Sequence, residues 1–265
     1  MPRIGGKDSP YQVQVLDRAV VILDRLASAG EDLSLFELAD RLDLHKSTIH
    51  RLLMVLERHR LVERRQESGK YGLGLRLFEL GQQAFARLGI GERARPHLER
   101  LAAEAGETAH LCTLDDGEVL YLEKVEPSRT VRVPSSIGHR NPAHCTAVGK
   151  ALLAFVSDEE LDDVIRRRGL RAHTPNTITT PALLRRELRA IRERGYSVDD
   201  EEIEEGLRCV GAPVRDHSGR VVASMSIAGP AFRLTRARVA SVARLVTKAA
   251  DGLSSKLGYR ASKAG

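Results

Sequence analysis

The feature that most constrains how the N-terminal part of this chain folds is a pair of short helical patterns. Only three residues, 43–45, separate them. The first pattern begins at Ser34 and has Glu37 three residues later, which is the signature of a capping box. Its apolar residues are Leu35, Leu38, Ala39 and Leu42, and those of the second pattern are Ile49, Leu52, Leu53 and Leu56. Steps of three and four residues place each set on one helix face. Two helices this short and this close predict a helix-turn-helix.

A longer amphipathic pattern precedes this pair of helices, and a basic hairpin follows it. The preceding helix is predicted to end at Gly30. The predicted inner face of that helix consists of Val13, Leu16, Val20, Leu23 and Ala27. The hairpin is predicted from two short segments, 61–65 and 71–73, which flank turn residues at 67–70. Three helices followed by a two-stranded wing indicate a winged helix-turn-helix domain.

The start of the second helix of the pair is rich in hydrogen-bond donors that suit DNA. In a helix-turn-helix, this part of the second helix enters the major groove, where Lys46 and Arg51 suit guanine or phosphate. The predicted DNA-contacting residues are Ser34, His45, Lys46, Ser47, Thr48, His50 and Arg51, with Arg64, Arg65 and Lys70 on the wing. A net charge of +6 and a sequence pI of about 9.4 favour an acidic partner. The alternative is a small helical module with solvated charges.

The rest of the chain predicts an α+β architecture, with a largely antiparallel sheet in a second domain. The predicted organisation is a flexible basic arm at 1–10, the winged helix-turn-helix domain at 11–74, a linker helix at 75–89 and the second domain at 90–260. The predicted strands of the second domain are 108–114, 118–125, 129–133, 210–215 and 221–228. Its predicted helices are 92–105, 146–155, 157–169, 180–195 and a last helix that begins at Thr235. The predicted inner face of this last helix consists of Val239, Val242, Val246, Ala249 and Leu253.

The cysteines and the N-terminal sequence narrow the class of protein further. The three cysteines are Cys112, Cys145 and Cys209, and no CxxC pair exists, which excludes a zinc finger. A sparse, odd set of cysteines fits a reducing compartment. The segment 1–10 has no apolar core, so it predicts no signal peptide, and the apolar runs are too short for a membrane helix. We therefore expect a soluble cytoplasmic protein.

Three segments of the chain resemble the IclR family of bacterial transcriptional regulators. They are KSTIHRLLMVLERHRLVERRQESGKYGLGLRLFELG at 46–81, NPAHCTAVGKALLAF at 141–155 and RERGYSVDDEEIEEGLRCVGAPVRDHSGRVVASMSIAGP at 192–230. The resemblance covers about 12–258 and implies a cytoplasmic regulator that assembles as a homodimer or homotetramer and binds palindromic operators in double-stranded DNA. One departure is Arg60, where the family usually has glycine at the end of the recognition helix. An arginine in a left-handed conformation there would cost on the order of 1 kcal/mol.

The resemblance also implies that the second domain is a GAF-like effector-binding domain for small organic or aromatic acids. Thr146 begins a helix, so the amides of Ala147 and Val148 have no acceptor within that helix and suit a carboxylate. The predicted effector-binding residues are Thr146, Ala147, Val148, Asp199, Cys209 and Ser226. The last three match positions that line the family's cavity, whereas Ala228 replaces a serine of some members, which predicts a less polar effector. An ordinary helix cap and a buried core thiol are the alternatives for the helix start and for Cys209.

Several other interpretations of the second domain compete with this one. The acidic run at 199–205 fits a solvated loop. A Zn²⁺ site is an alternative if the fold gathers His110, Cys112, His144, Cys145 and Cys209, although no spacing supports it and we predict no metal and no cofactor. An enzyme with a nucleophilic Cys145 or Cys209 would need a positioned base. His144 is adjacent to Cys145, but neighbouring side chains on an extended segment point to opposite faces. A DNA-binding architectural protein without a ligand is the last alternative.

Overall fold

The computed structural model describes residues 13–87, 89–127 and 135–260, and the chain divides into two compact units at Leu88 and Gly89. The predicted arm at 1–10 and the predicted strand at 129–133 lie outside the described residues. The elements of the first unit are α1 (Gln14–Ala29), α2 (Leu35–Leu42), α3 (Lys46–Arg58), β1 (Val62–Arg64), β2 (Tyr71–Leu73) and α4 (Leu75–Arg87). This order confirms the helix-turn-helix and its wing.

The capping box at the start of α2 is present with both of its hydrogen bonds. The backbone N–H of Glu37 donates to the Ser34 hydroxyl oxygen at 3.2 Å, and the N–H of Ser34 donates to the Glu37 carboxylate at 2.7 Å. Together they satisfy backbone donors that a helix start leaves without partners. They also hold the pKa of Glu37 below its ordinary value.

The inner face predicted for α1 is wrong. Val13, Leu16 and Val20 are 55%, 62% and 46% exposed, whereas Ile22 and Leu26 are buried in the core of the unit. Apolar residues occur on more than one side of this helix, and several of their spacings fit a helical period. The side that packs against α3 and β2 is decided by tertiary contacts, which the spacing alone does not contain.

Arg60, two residues after the end of α3, adopts a left-handed backbone conformation. Its φ is 59°, and the amide of Leu61 donates to the carbonyl oxygen of Leu56 at 2.9 Å, which closes the helix. The residue that follows the second strand of the wing lies close to this turn. A Cβ atom added at Gly74 would be only 2.1 Å from the Arg60 carbonyl oxygen. The arginine therefore ends the helix in the conformation that glycine commonly supplies.

The second unit is an α+β domain on one antiparallel sheet of six strands, which confirms the predicted fold class. Its strands are β3 (Thr108–Asp115), β4 (Glu118–Val125), β5 (Arg140–Pro142), β6 (Ser197–Asp200), β7 (Leu207–Arg215) and β8 (Val221–Pro230). The sheet order is β5-β4-β3-β8-β7-β6, and each neighbouring pair is antiparallel. Its helices are α5 (Gly91–Ala105), α6 (Ala147–Leu153), α7 (Asp158–Arg168), α8 (Pro181–Arg194) and α9 (Val239–Lys256).

Two strands of this sheet were not predicted, and one of them overturns the interpretation of the acidic run. β5 and β6 form the two edges of the sheet. Asp199 lies on β6 and is fully buried, and Glu202 just after it is 6% exposed, so this part of the run is not a solvated loop. A buried carboxylate requires partners, and such partners come from distant parts of the chain.

The end of the chain matches its prediction only in part. The hydroxyl of Thr235 makes no capping hydrogen bond, and a short 3-10 turn, Arg236–Arg238, separates it from α9. Val242, Val246 and Leu253 are buried as predicted, but Val239 and Ala249 are only half-buried. No helix within the described part of the chain is both long and apolar enough to span a lipid bilayer.

Candidate functional sites

The first turns of α3 present their polar side chains to solvent. His45, Lys46, His50 and Arg51 are exposed together with Ser47, while Thr48 is half-buried. The apolar residues Ile49, Leu52 and Leu53 lie on the opposite side in the core, as expected for the anchoring face. The ammonium group of Lys46 lies 4.3 Å from the ring centre of Phe36 on α2. Among the residues that the structure describes, neither Lys46 nor Arg51 takes part in an ion pair.

The basic residues of the wing differ in how strongly they already interact with other side chains of the unit. Arg65 donates to the carboxylates of Asp32 at 2.8 Å and Glu63 at 3.1 Å, so its charge is compensated within the unit. Arg64 is exposed, and its guanidinium carbon lies 5.8 Å from the ring centre of Tyr71. Lys70 is half-buried. Of the three predicted phosphate contacts, Arg64 is thus the most available.

All six residues predicted to bind an effector line one cavity of the second unit. This cavity has a volume of about 190 Å³ and lies between the start of α6 and the sheet. Its walls contain Thr146, Ala147, Val148, Asp199, Cys209 and Ser226, together with His110, Tyr121, Ser135, His139, Asn141, Ile203, Glu204, Leu207 and Ala228. The six come from four separate parts of the chain, the start of α6 and the strands β6, β7 and β8, and the fold brings them together.

The start of α6, with its free backbone amides, forms part of the lining of this cavity. The Thr146 hydroxyl accepts a hydrogen bond from the amide of Gly149 at 3.2 Å and donates to the carbonyl oxygen of Pro142 at 3.1 Å. The first amides of the helix, those of Ala147 and Val148, have no acceptor in the helix. The helix start therefore offers N–H donors and the positive end of a helix dipole to an anion.

The backbone of α6 lies directly on the sheet. The hydroxyl of Ser197 donates to the carbonyl oxygen of Ala147 at 2.6 Å, and that of Ser224 donates to the carbonyl oxygen of Val148 at 3.1 Å. A Cβ atom added at Gly211 would lie 3.0 Å from the carbonyl oxygen of Ala147. A side chain at 211 would crowd this contact, and glycine avoids that crowding.

Asp199 contributes a buried carboxyl group to the opposite wall. Its Oδ1 atom accepts a hydrogen bond from the amide of Glu202 at 2.8 Å, while Oδ2 has no partner among the described residues. Burial raises the pKa of Asp199 to about 7, so the carboxyl can either donate or accept a hydrogen bond near neutral pH. Cys209 lies directly opposite it on β7, and burial raises the pKa of that thiol well above its ordinary value.

A polar group that the sequence interpretation missed completes the cavity. The Nε2 atom of His110 lies 2.8 Å from the Ser135 hydroxyl, and the Asn141 amide donates to the Tyr121 hydroxyl at 3.3 Å. Burial lowers the pKa of His110 to about 4, so the ring is neutral. His110 pairs with Ser226 across β3 and β8. The hairpin signal at 115–117 fixes the pairing of β3 with β4, but no signal in the sequence reveals the pairing of β3 with β8.

A buried ion pair lies beside the cavity. The ammonium group of Lys150 on α6 is bonded to the carboxylate of Glu202, and their side chains are only 1% and 8% exposed. The second carboxylate oxygen of Glu202 has no partner among the described residues. Burial outweighs the attraction of Lys150 and raises the pKa of Glu202.

The five residues considered as alternative zinc ligands are not gathered into one group. Within the described residues, one group of at least three side chains has metal-ligating atoms close together, and its members are His144, Cys145 and His173. His110, Cys112 and Cys209 are not among them. The five-residue zinc site considered as an alternative is therefore not formed.

Two family models match the chain, and together they span most of it. The IclR helix-turn-helix domain matches residues 15–66, and the C-terminal domain of the bacterial transcriptional regulator IclR matches residues 82–255. The second match alone covers more than half of the chain. The chain belongs to the IclR family. Members of this family pair a helix-turn-helix domain for DNA with a domain for a small-molecule effector.

Individual members of the IclR family are similar over nearly their full length. The HTH-type transcriptional regulator XynR of Escherichia coli (strain K12) is 35% identical over 249 residues, which are 94% of this chain and 99% of XynR. The transcriptional repressor IclR of the same strain is 34% identical over 94% of this chain and 92% of its own length. A crystal structure of an IclR homolog complexed with 4-hydroxybenzoate, from Microbacterium hydrocarbonoxydans, has a TM-score of 0.82 and 29% identity, and the match covers 92% of this chain and 98% of that one.

These similarities decide between the classes of protein considered above. The relatives are transcriptional regulators and repressors, so this IclR-family chain is a transcriptional regulator and not an enzyme. Its cysteines agree with that assignment, because burial raises the pKa of Cys145 to about 12, whereas a nucleophilic thiol needs a lowered pKa. The interpretation of Cys145 or Cys209 as a nucleophile is wrong.

Proposed function

We propose that this IclR-family regulator is a repressor whose affinity for a palindromic operator changes when a small organic or aromatic acid binds in the cavity at the start of α6. The observation that carries the proposal is the combination of free α6 amides and the unpartnered Oδ2 atom of Asp199 on the walls of one cavity. A ligand carboxylate would accept hydrogen bonds from the α6 amides, and a ligand hydroxyl would pair with the Oδ2 atom of Asp199.

The size and the lining of the cavity favour a compact, partly apolar acid. A volume of about 190 Å³ accommodates a single small ring but not a nucleotide. Ile203, Leu207 and Ala228 supply apolar surface, and Tyr121 supplies an aromatic edge. The similar protein crystallised with 4-hydroxybenzoate holds an acid of this kind.

The proposal for DNA places the exposed start of α3 in the major groove. Lys46 and Arg51 would contact base edges or phosphates, with the neighbouring serine, threonine and histidine side chains beside them. Arg64 and Lys70 would hold phosphates next to the groove. A homodimer or homotetramer would present two such helices to the two halves of a palindrome. Repression is the sign of regulation we propose, because a similar full-length relative is a repressor.

Selection of bound sequences from random duplex DNA at physiological salt tests the DNA-binding part. We expect an enriched palindrome, and we expect Lys46→Ala and Arg51→Ala each to weaken binding to it by about tenfold or more, since one good bidentate contact is worth 1–3 kcal/mol. Arg58→Ala is the matched control, because it removes the same charge from the last turn of α3 and should leave specificity intact. Equal effects of all three substitutions would contradict the assignment of the recognition surface.

Calorimetric titration with small aromatic acids and with their amides tests the effector part. The acids should bind and the amides should not, since the α6 amides and the helix dipole favour a negative charge. Asp199→Asn and Ser226→Ala should weaken binding without changing operator affinity in the absence of ligand. Ser218→Ala, in the exposed turn between β7 and β8, is the control. Amides that bind as tightly as the acids would overturn the proposed class of effector.

A further inference from the structure

Three metal-ligating side chains lie close together next to the start of α6, outside the set that lines the proposed effector cavity. One ligating atom from each of His144, Cys145 and His173 lies within 4.8 Å of those of the other two. The first two are buried and the third is exposed to solvent. His144 and Cys145 lie in a turn and not in an extended segment, so the expectation that their side chains point to opposite faces is wrong. We propose that these three residues form a Zn²⁺ site, which goes beyond the effector and DNA functions proposed above.

The hydrogen bond of His144 prepares its ring as a ligand. Its Nε2 atom lies 3.0 Å from the carbonyl oxygen of Arg171, which can only accept, so Nε2 carries the proton of the neutral ring. The lone pair is then on Nδ1. A metal-bound histidine commonly donates its other N–H to a carbonyl or carboxylate, which fixes both the tautomer and the ring orientation. His144 already has this partner without a metal.

The donor set selects the kind of metal. One thiolate and two imidazoles suit Zn²⁺ better than Mg²⁺ or Ca²⁺, which prefer oxygen ligands. On binding, the Cys145 thiol releases its proton to water and a sulfur lone pair forms the bond to Zn²⁺, so no electron is transferred. Three protein ligands leave a fourth tetrahedral position, and the exposure of His173 allows water to occupy it.

The position of the site joins two segments that form walls of the cavity. Cys145 directly precedes Thr146, which caps α6. His173 belongs to a loop that is bonded to the turn after β6, because the hydroxyl of Thr174 donates to the carbonyl oxygen of Glu201 at 2.6 Å. A bound Zn²⁺ therefore connects the start of α6 to the loop that holds the turn beside Asp199.

The test uses the full-length, untagged protein after treatment with a chelator, titrated with Zn²⁺ and separately with Co²⁺. We expect one Zn²⁺ per chain by calorimetry and metal analysis. Co²⁺ in the same site should give a thiolate-to-cobalt charge-transfer band in the near ultraviolet. Cys145→Ser should abolish that band. His173→Asn, at an exposed position where the fold tolerates the change, should weaken Zn²⁺ affinity by at least tenfold.

Two control variants separate this site from other cysteines and histidines. His217→Asn removes an exposed histidine in the turn between β7 and β8 and should leave Zn²⁺ affinity unchanged. Cys209→Ser should retain the charge-transfer band. The proposal is overturned if the wild-type chain takes up no Zn²⁺, if the band survives in Cys145→Ser, or if His173→Asn binds as tightly as the wild type. None of these outcomes depends on the identity of the effector or of the operator.

Discussion

The ammonium group of Lys150 and the carboxylate of Glu202 form an ion pair that is almost completely shielded from solvent. The pair connects α6, whose start faces the cavity, to the turn that follows β6. Removing both charges from water is costly, and their mutual attraction offsets that cost only while both partners are present. The two residues are therefore expected to behave as a unit when either is substituted.

Lys150→Met is expected to lower the free energy of unfolding by about 3–5 kcal/mol, because it leaves the Glu202 carboxylate buried without a cation. Urea unfolding of the second unit measures this loss. The double variant Lys150→Met/Glu202→Leu should regain most of the loss. Glu99→Gln, which breaks the exposed pair of Glu99 with Arg95, is the control and should cost less than about 1 kcal/mol. If Lys150→Met were as stable as the wild type, the buried Glu202 carboxylate would not depend on Lys150 for its compensation.

Asp199→Asn is expected to stabilise the fold, increasingly so as the pH rises from about 4 to 7. Burial raises the pKa of Asp199 from 3.8 to about 7, so ionisation opposes folding over that interval. The free-energy penalty of ionising Asp199 is absent below pH 3.8, grows between pH 3.8 and about 7, and is constant at higher pH. At about 1.4 kcal/mol per pKa unit it reaches at most about 4 kcal/mol. Asparagine keeps the oxygen that accepts the amide hydrogen bond of Glu202.

Urea unfolding at several pH values between 3 and 8 measures this difference in stability. Asp216→Asn is a control that should lower the stability of the fold instead of raising it, because hydrogen bonds from Ser218 lower the pKa of Asp216. The stability that Asp216 contributes is present above its unfolded pKa and is lost as the pH falls through the folded value. A stability difference between Asp199→Asn and the wild type that does not vary with pH would show that Asp199 is not the titrating group.

Arg64→Ala and Arg65→Ala are expected to change the salt dependence of operator binding by different amounts. Each phosphate contact contributes about 0.9 to the slope of log K against log salt. Arg64 is exposed, so its loss should reduce the slope by about that amount. Arg65 is already bonded to Asp32 and Glu63, so its loss should reduce the slope by less than half as much. Fluorescence anisotropy at several salt concentrations measures both slopes.

Equal reductions of the slope would mean that Arg65 exchanges its carboxylate partners for a phosphate on binding. In that case the direct contact predicted from the sequence for Arg65 would hold, and the ion pairs of the free wing would not be retained on DNA.

Arg60→Gly is expected to raise the free energy of unfolding of the first unit by about 0.5–1 kcal/mol. A left-handed arginine costs about 1–2 kcal/mol, and glycine avoids that cost but loses more backbone entropy on folding. The contact of Arg60 with Glu79 is 3.6 Å long and exposed, so its loss should matter little. Arg58→Gly, inside α3, should instead lower stability by about 1 kcal/mol. Thermal unfolding of the two variants should therefore shift in opposite directions.

Local signals in the sequence predicted most of the elements of this fold. The capping box of Ser34 with Glu37 and the turn at 115–117 act over a few residues, so spacing reveals them. The inner face of α1 was wrong because Val13, Leu16 and Val20 satisfy a helical period without contacting the core. β6 was missed because its acidic residues resemble a solvated loop until Lys150, about fifty residues earlier in the chain, is placed beside them.

The candidate effector site depended more on resemblance than on pattern. Asp199, Cys209 and Ser226 were assigned because they match positions of a known family, and no periodicity distinguishes them from core residues. His110 and Tyr121 were missed because they reach the cavity through strand pairing and across the sheet. Pairing between strands that are far apart in the chain is fixed by the packing of the whole domain, which one sequence does not display.

The direct contact of α6 with the sheet divides the cavity into a fixed wall and an adjustable one. The carbonyl oxygens of Ala147 and Val148 accept hydrogen bonds from serines of β6 and β8, and the absence of a side chain at Gly211 lets the helix lie against the sheet. If an acid binds as proposed, backbone atoms would hold its carboxylate, and side-chain substitution there would change that end little. Selectivity for one acid over another would then depend on other side chains of the lining, such as Tyr121, Ile203 and Leu207. Exchange of those few side chains would alter the effector while the backbone donors stay the same.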